Sequence, residues 1–177
     1  LVGLYDPEEN GLNIEMWTNS DGEELKSILN KIYITNLSTD AKEILQIALL
    51  TNSYFPEKNI SYEEFLEFKS NFLLKKKDLN LIKKFLTKNN KTSINYLLIK
   101  YYVNEYLSIS DLETACSIFN KVEFVDDDYL TKFRIYCLVN ENRREEAQLI
   151  FDLKKELGFN DDFFEKKFNF LLGYDIN

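Results

Sequence analysis

The sequence predicts an all-α chain of antiparallel helix pairs, stacked as a short right-handed α-solenoid of about nine helices. Three observations predict it. The nine residues Asp111–Phe119 recur 32 positions downstream at Arg143–Phe151, with Glu, Ala, Ile and Phe kept; 33 positions upstream, Asp78–Leu86 keeps the Asp and Leu with apolar residues at the other core places. A second set of positions repeats with the same offsets: Phe65, Leu98 and Leu130; Phe68, Tyr101 and Phe133; Leu73, Tyr106 and Leu138. Self-similarity at this period marks helix pairs that bury their apolar faces against their neighbours. The third observation is sparse turn chemistry. With 5 Gly and 2 Pro in 177 residues, the chain lacks the punctuation that a β-sandwich or barrel needs.

Residues 1–18 read as an irregular N-terminal arm, because Gly3, Pro7 and Gly11 break any helix and no helical stripe appears. Leu4, Leu12, Ile14, Met16 and Trp17 are apolar enough to dock it, chiefly through Trp17. Residues 19–177 read as one helical repeat domain. Its first pair covers 19–50, its repeats cover 61–90, 93–122 and 128–157, and a capping helix covers 160–173.

The first helix follows Ser20-Asp21-Gly22-Glu23, read as a capping box, and carries Leu25, Ile28, Leu29 and Ile32 at helical spacing. The second carries Ile44, Leu45, Ala48 and Leu49. Thr51–Asn59 contains Pro56 and reads as a hinge. A second capping box, Ser61-Tyr62-Glu63-Glu64, opens a helix with Phe65, Phe68, Phe72 and Leu73 inward. Asp78 caps the next helix, which ends at Asn89-Asn90. The fifth helix, 93–107, is rich in tyrosine; Ser110-x-x-Glu113 and Asn142-x-x-Glu145 read as the caps of the sixth and eighth, and Asp126–Asp128 opens the seventh. Gly158 stands where a left-handed C-terminal residue is wanted. The ninth helix presents Phe163, Phe164, Phe168 and Leu171.

The composition, 45% hydrophobic and 29% charged, is that of a folded chain. A net charge of −8 repels phosphate backbones, and Lys75-Lys76-Lys77 falls in the last turn of a helix, where cations complement the dipole. No nucleic-acid partner is expected. No run approaches the roughly 18 consecutive apolar residues of a membrane span, so this segment is not expected to insert. The chain begins at Leu1, which suggests a mature product or excised segment with a signal peptide removed.

The pairs resemble degenerate tetratricopeptide repeats: Ala115 with Phe119 and Ala147 with Phe151 match that family's Ala followed four residues later by Phe, and Tyr106 falls at its first-helix Tyr. The family's first-helix Gly and closing Pro are missing. A second resemblance, to uncharacterised secreted helical-repeat proteins of alphaproteobacteria, is carried by Gly3-Leu4, Gly11-Leu12, Trp17, Ser20-Asp21, Ala115-Cys116 and Tyr136-Cys137. It implies a periplasmic or cell-envelope location, with the cytoplasm as the alternative.

Cys116 and Cys137 lie on consecutive antiparallel helices, and two states are open. They form a disulfide closing a loop, worth on the order of 3 kcal/mol, or they remain two buried thiols. Without His there is no Ser-His or Cys-His pair, and no phosphate-binding glycine loop is present. Asp126-Asp127-Asp128 and Asp161-Asp162 precede helices, so helix-end stabilisation accounts for them. No metal or cofactor is expected, because the Asp triplet lacks EF-hand spacing and zinc needs more Cys or His. Tyr96, Tyr101, Tyr102 and Tyr106 extend around a helix circumference.

The expected function is protein–protein interaction, as a scaffold of the bacterial cell envelope that binds a protein or peptide segment on a concave face. Tyr101, Tyr102, Glu105 and Tyr136 are the expected partner-binding residues. One alternative is a carboxylate-dependent enzyme or accessory acting on a glycan; the other is a purely structural spacer. Oligomeric state is left open by the residues.

Overall fold

A computed structural model describes residues 1–90, 96–122 and 127–174. Among these residues the chain is all-helical, with nine α-helices: α1 (Gly22–Ile34), α2 (Thr39–Leu50), α3 (Tyr62–Lys76), α4 (Leu79–Lys88), α5 (Tyr96–Ser108), α6 (Leu112–Ser117), α7 (Asp128–Asn140), α8 (Arg144–Glu156) and α9 (Asp162–Leu172). The chain divides into two compact units, Leu1–Tyr102 and Val103–Asn177, and the division falls inside α5.

The first unit is tied together by its N-terminal segment. Residues 1–21 carry one 3-10 turn (Glu8–Asn10) and run beside the α2–α3 connection, with isolated bridges pairing Val2 with Ser53 and Tyr5 with Thr51. The amides of Leu4 and Tyr5 donate to the Leu50 carbonyl, and that of Asn52 donates to the Tyr5 carbonyl. Gly3 makes this approach possible: a Cβ there would stand 2.3 Å from the Asn52 nitrogen. Its own amide and carbonyl are held by the Asn89 side-chain amide, at 3.1 and 3.2 Å. Val2 and Gly3 are buried, while Trp17 is half-buried with its ring edge-on to Phe65 at 6.1 Å.

The connection expected to be a hinge is therefore anchored. Thr51 and Ser53 are buried, the amides of Tyr54 and Glu57 donate to the carbonyls of Ile14 and Thr18, and the Gly22 amide at the start of α1 donates to the Lys58 carbonyl. A segment whose backbone groups are paired on both flanks has little freedom to pivot.

Lys69 lies at the centre of this arrangement. It projects from α3, is fully buried, and its Nζ donates to the carbonyls of Val2 (2.5 Å) and Thr51 (3.1 Å), 5.1 Å from the centre of the Phe65 ring. Burial lowers the ammonium pKa from 10.5 to about 7. The first unit's core is completed by Leu25, Leu29, Leu49, Leu50, Phe72, Leu73, Ile82 and Phe85. Two residues expected in that core, Ile28 and Ile44, are exposed: three or four buried positions are enough to seat a short surface helix, and these two fall on its flank.

In the second unit, α7, α8 and α9 close on Ile135, Leu138, Ala147, Phe151, Phe168 and Leu172. The inward stripe of α9 is Phe164, Phe168 and Leu172, whereas Phe163 and Leu171, expected inside, are exposed at 73% and 40%. Phe164 and Phe168 stack one turn apart on that stripe, with centroids at 6.2 Å.

The sequence repeat has a structural counterpart in the three helix pairs α3–α4, α5–α6 and α7–α8. Lys77, Ser110 and Asn142, at the repeat offsets, all have left-handed backbones, with φ of 56°, 61° and 61°. Each is followed by the N-cap of a second helix: Asp78, Asp111 and Arg143. Asp78 accepts from the Leu81 amide and Asp111 from the Thr114 amide, both at 3.0 Å. Ser110 and Asn142 are thus turn residues rather than caps, which corrects the reading of their motifs. Arg143 caps α8 without a side-chain bond to the backbone. At the helix starts, the cap of α1 is Asp21, which accepts from the Glu23 and Glu24 amides, and not Ser20. The Ser61–Glu64 capping box is complete. Burial repeats as well: Ile82, Ala115 and Ala147 are each fully buried, as are Leu98 and Leu130, while Phe68, Tyr101 and Phe133 are each half-buried.

Candidate recognition surface

The helix α7 is buried along Leu130, Thr131, Ile135, Cys137 and Leu138. Turning that stripe inward leaves Tyr129, Phe133 and Tyr136, spaced i, i+4 and i+7, on one outward face. Tyr129 and Tyr136 are 37% and 38% exposed, enough for one face of each ring to meet solvent. The rings are fixed from behind. Tyr136 stacks on Phe133 at 6.3 Å and 19°, and Phe133 leans on Phe119 at 5.8 Å. The Tyr129 hydroxyl donates to Asn104 Oδ1 on α5 at 2.7 Å. Rigid aromatic side chains with a polar tip give much contact area for little loss of rotamer freedom, the usual character of interface anchors.

The backbone under this face is braced covalently. Cys116 of α6 and Cys137 of α7 form a disulfide across 21 positions, with Cα atoms 5.5 Å apart. Beside it, a polar cavity of about 230 Å³ is bounded by Arg134, Glu141 and Arg143. Arg143 pairs bidentately with Glu146, at 2.7 and 2.6 Å, and also reaches Glu141 and Asn120. The guanidinium hydrogen bonds hold the Glu146 carboxyl below its ordinary range, and the same carboxylate pushes Arg143 up. Burial lowers Arg134, with the nearby Arg143 charge adding to the effect.

The four residues expected to bind a partner fare differently. Tyr136 belongs to the aromatic face, Glu105 is exposed on α5, and Tyr101 is half-buried. Tyr102 is fully buried, which corrects its assignment: it packs in the core and has no surface to offer. Tyr101 and Tyr102 belong to the first unit, Glu105 and Tyr136 to the second. Tyr129 and Phe133 are not among the expected partner-binding residues, although their spacing with Tyr136 is visible in the sequence.

The acidic residues weighed for catalysis sit at helix starts. Asp127 accepts from the Leu130 amide, and Asp161 accepts from the Phe164 amide and pairs with Lys132, all at 2.9 Å. Asp128 lies 3.7 Å from Lys154. Asp126 lies outside the described residues, as do 93–95 of the expected fifth helix. Among the described residues no group of three or more Cys, Asp or Glu is placed to hold a metal, and no helix is long and apolar enough to cross a membrane. No family model, curated protein or solved structure matches this chain.

Proposed function

We propose that the chain is a non-catalytic binding module of the bacterial cell envelope, which docks a segment of another protein against the aromatic face of α7. The observation that carries this reading is the set Tyr129, Phe133 and Tyr136, with two rings exposed to solvent and all three held in place by ring and hydrogen-bond contacts. Preorganised rings lose little entropy when a partner covers them. Right-handed stacking of successive pairs, with a concave binding face, belongs to the same proposal, supported by the recurrence of the left-handed turn and of the buried positions. The Cys116–Cys137 bond supports an oxidising compartment, because cytosolic thiols are kept reduced.

The test is a quantitative pull-down from a native extract, comparing wild type with Tyr129→Ala/Tyr136→Ala at matched thermal stability. Loss of a partner recovered by wild type is expected. Equal recovery by both removes this face from the site. A Tyr101→Ala variant tests the α5 side; Tyr102→Ala is unsuitable, because it hollows the core.

A further inference from the structure

The first unit contains a cavity of about 330 Å³ between the end of α1, the α1–α2 connection, α2 and α3. Its walls are largely apolar, formed by Ile32, Leu37, Leu45, Phe72 and the ring of Tyr33. The Tyr33 hydroxyl is turned away to the Phe68 carbonyl at 3.4 Å, and burial raises its pKa, so the ring enters the wall as a neutral surface. The volume falls at the low end of the roughly 300–1,000 Å³ typical of small-molecule sites.

Three lysines, Lys42, Lys75 and Lys76, line the same cavity, and all three are exposed. Lys75 sits over the Tyr33 ring, 3.7 Å from its centre, and Lys76 donates to the Gln46 amide oxygen. Among the described residues, none of the three is paired with a carboxylate. The dipole of α3 accounts for Lys75 and Lys76, which lie in its last turn, where cations are favoured. It does not account for Lys42, which lies near the start of α2, where a cation is disfavoured. A second cavity of about 440 Å³ shares Tyr33 and Lys75 and adds Lys77.

We propose that this cavity binds a small amphiphilic carboxylate, its apolar tail against Leu45 and Phe72 and its head group among Lys42, Lys75 and Lys76. The apolar wall favours a hydrocarbon, and three ammonium groups without acidic partners favour a single negative charge at the mouth. The site is independent of the aromatic face of α7.

The experiment is isothermal titration of the full chain with decanoate below its micelle concentration, with decanol as the neutral counterpart. One saturable decanoate site is expected, with decanol about tenfold weaker or worse, as loss of a charge-assisted contact implies. Lys42→Gln/Lys75→Gln/Lys76→Gln should weaken decanoate by about the same factor and leave decanol unchanged, with Lys31→Gln, outside the lining, as the control. Leu45→Trp, which fills the cavity, should abolish binding of both. No saturable binding, equal affinity for decanoate and decanol, or undiminished decanoate binding by the triple or the Leu45→Trp variant overturns the proposal.

Discussion

Lys69 shows how one side chain can decide where a terminus goes. By spacing Lys69 falls on the apolar stripe of α3, four residues after Phe65 and four before Leu73, but a lysine there is expected to carry its ammonium out to solvent, and the local sequence names no acceptor that would hold it inside. Its two acceptors, the carbonyls of Val2 and Thr51, come from segments 67 and 18 positions away. Burial sets its pKa near 7 against 10.5 for a free lysine. Between those values the unfolded chain holds a proton that the folded chain has released, so stability rises with pH through that window and is flat below it. Urea denaturation of wild type and the non-titrating Lys69→Met at about pH 6 and pH 9 should show wild type gaining about 2–3 kcal/mol relative to the variant. A pH-independent difference would mean that Lys69 is not buried in this way. Gly3 belongs to the same contact: Gly3→Ala forces a Cβ against the Asn52 backbone and should cost about 1–3 kcal/mol, with faster hydrogen exchange at Leu4, Tyr5 and Asn52.

At the scale of elements, the turn within the pairs α3–α4, α5–α6 and α7–α8 is the most repetitive feature. Lys77, Ser110 and Asn142 share a left-handed backbone that costs little for Asn and more for Ser or Lys. Ser110→Gly should therefore stabilise the chain by about 0.5–1 kcal/mol in urea denaturation, relief of the strained φ exceeding the added unfolded-state entropy. The sequence showed the period, but the motifs Ser110-x-x-Glu113 and Asn142-x-x-Glu145 placed the caps one residue too early. The misreading has a physical cause. A Ser or Asn ahead of a helix can cap it or occupy the turn before it; Ser110 and Asn142 take the left-handed turn, so the cap position passes to the next residue, Asp111 with a side-chain bond and Arg143 without one. The seventh helix carries the same lesson: Tyr136 is an expected surface residue from the sequence, but Tyr129 and Phe133 join it only once Leu130 and Ile135 fix which side is inward.

For the molecule as a whole, the two compact units place the N-terminal tie and the disulfide in different parts of the chain. Reduction, or Cys116→Ala/Cys137→Ala, should remove about 3 kcal/mol by freeing the loop in the unfolded state. Native-state hydrogen exchange should then show faster opening in 103–174 and little change in 1–90. Uniform acceleration across the chain would mean that the units unfold as one. On the surface, the lysines of the α1–α3 cavity and the tyrosines of α7 lie in separate units, so a variant in one set should leave the other's binding unaltered.

The all-helical class, the period near 33, and the buried places of Ala115, Ala147 and Leu130 were determined by the sequence alone, because helical spacing and a recurring apolar pattern are local properties. Tertiary structure alone decided the burial of Lys69 and Tyr102, the anchoring of 51–59, the bond between Cys116 and Cys137, and the gathering of Lys42, Lys75 and Lys76 around one cavity. Each of these depends on which distant segment faces a given side chain. That is set by how helices close on one another, and periodicity along a single chain carries no record of it.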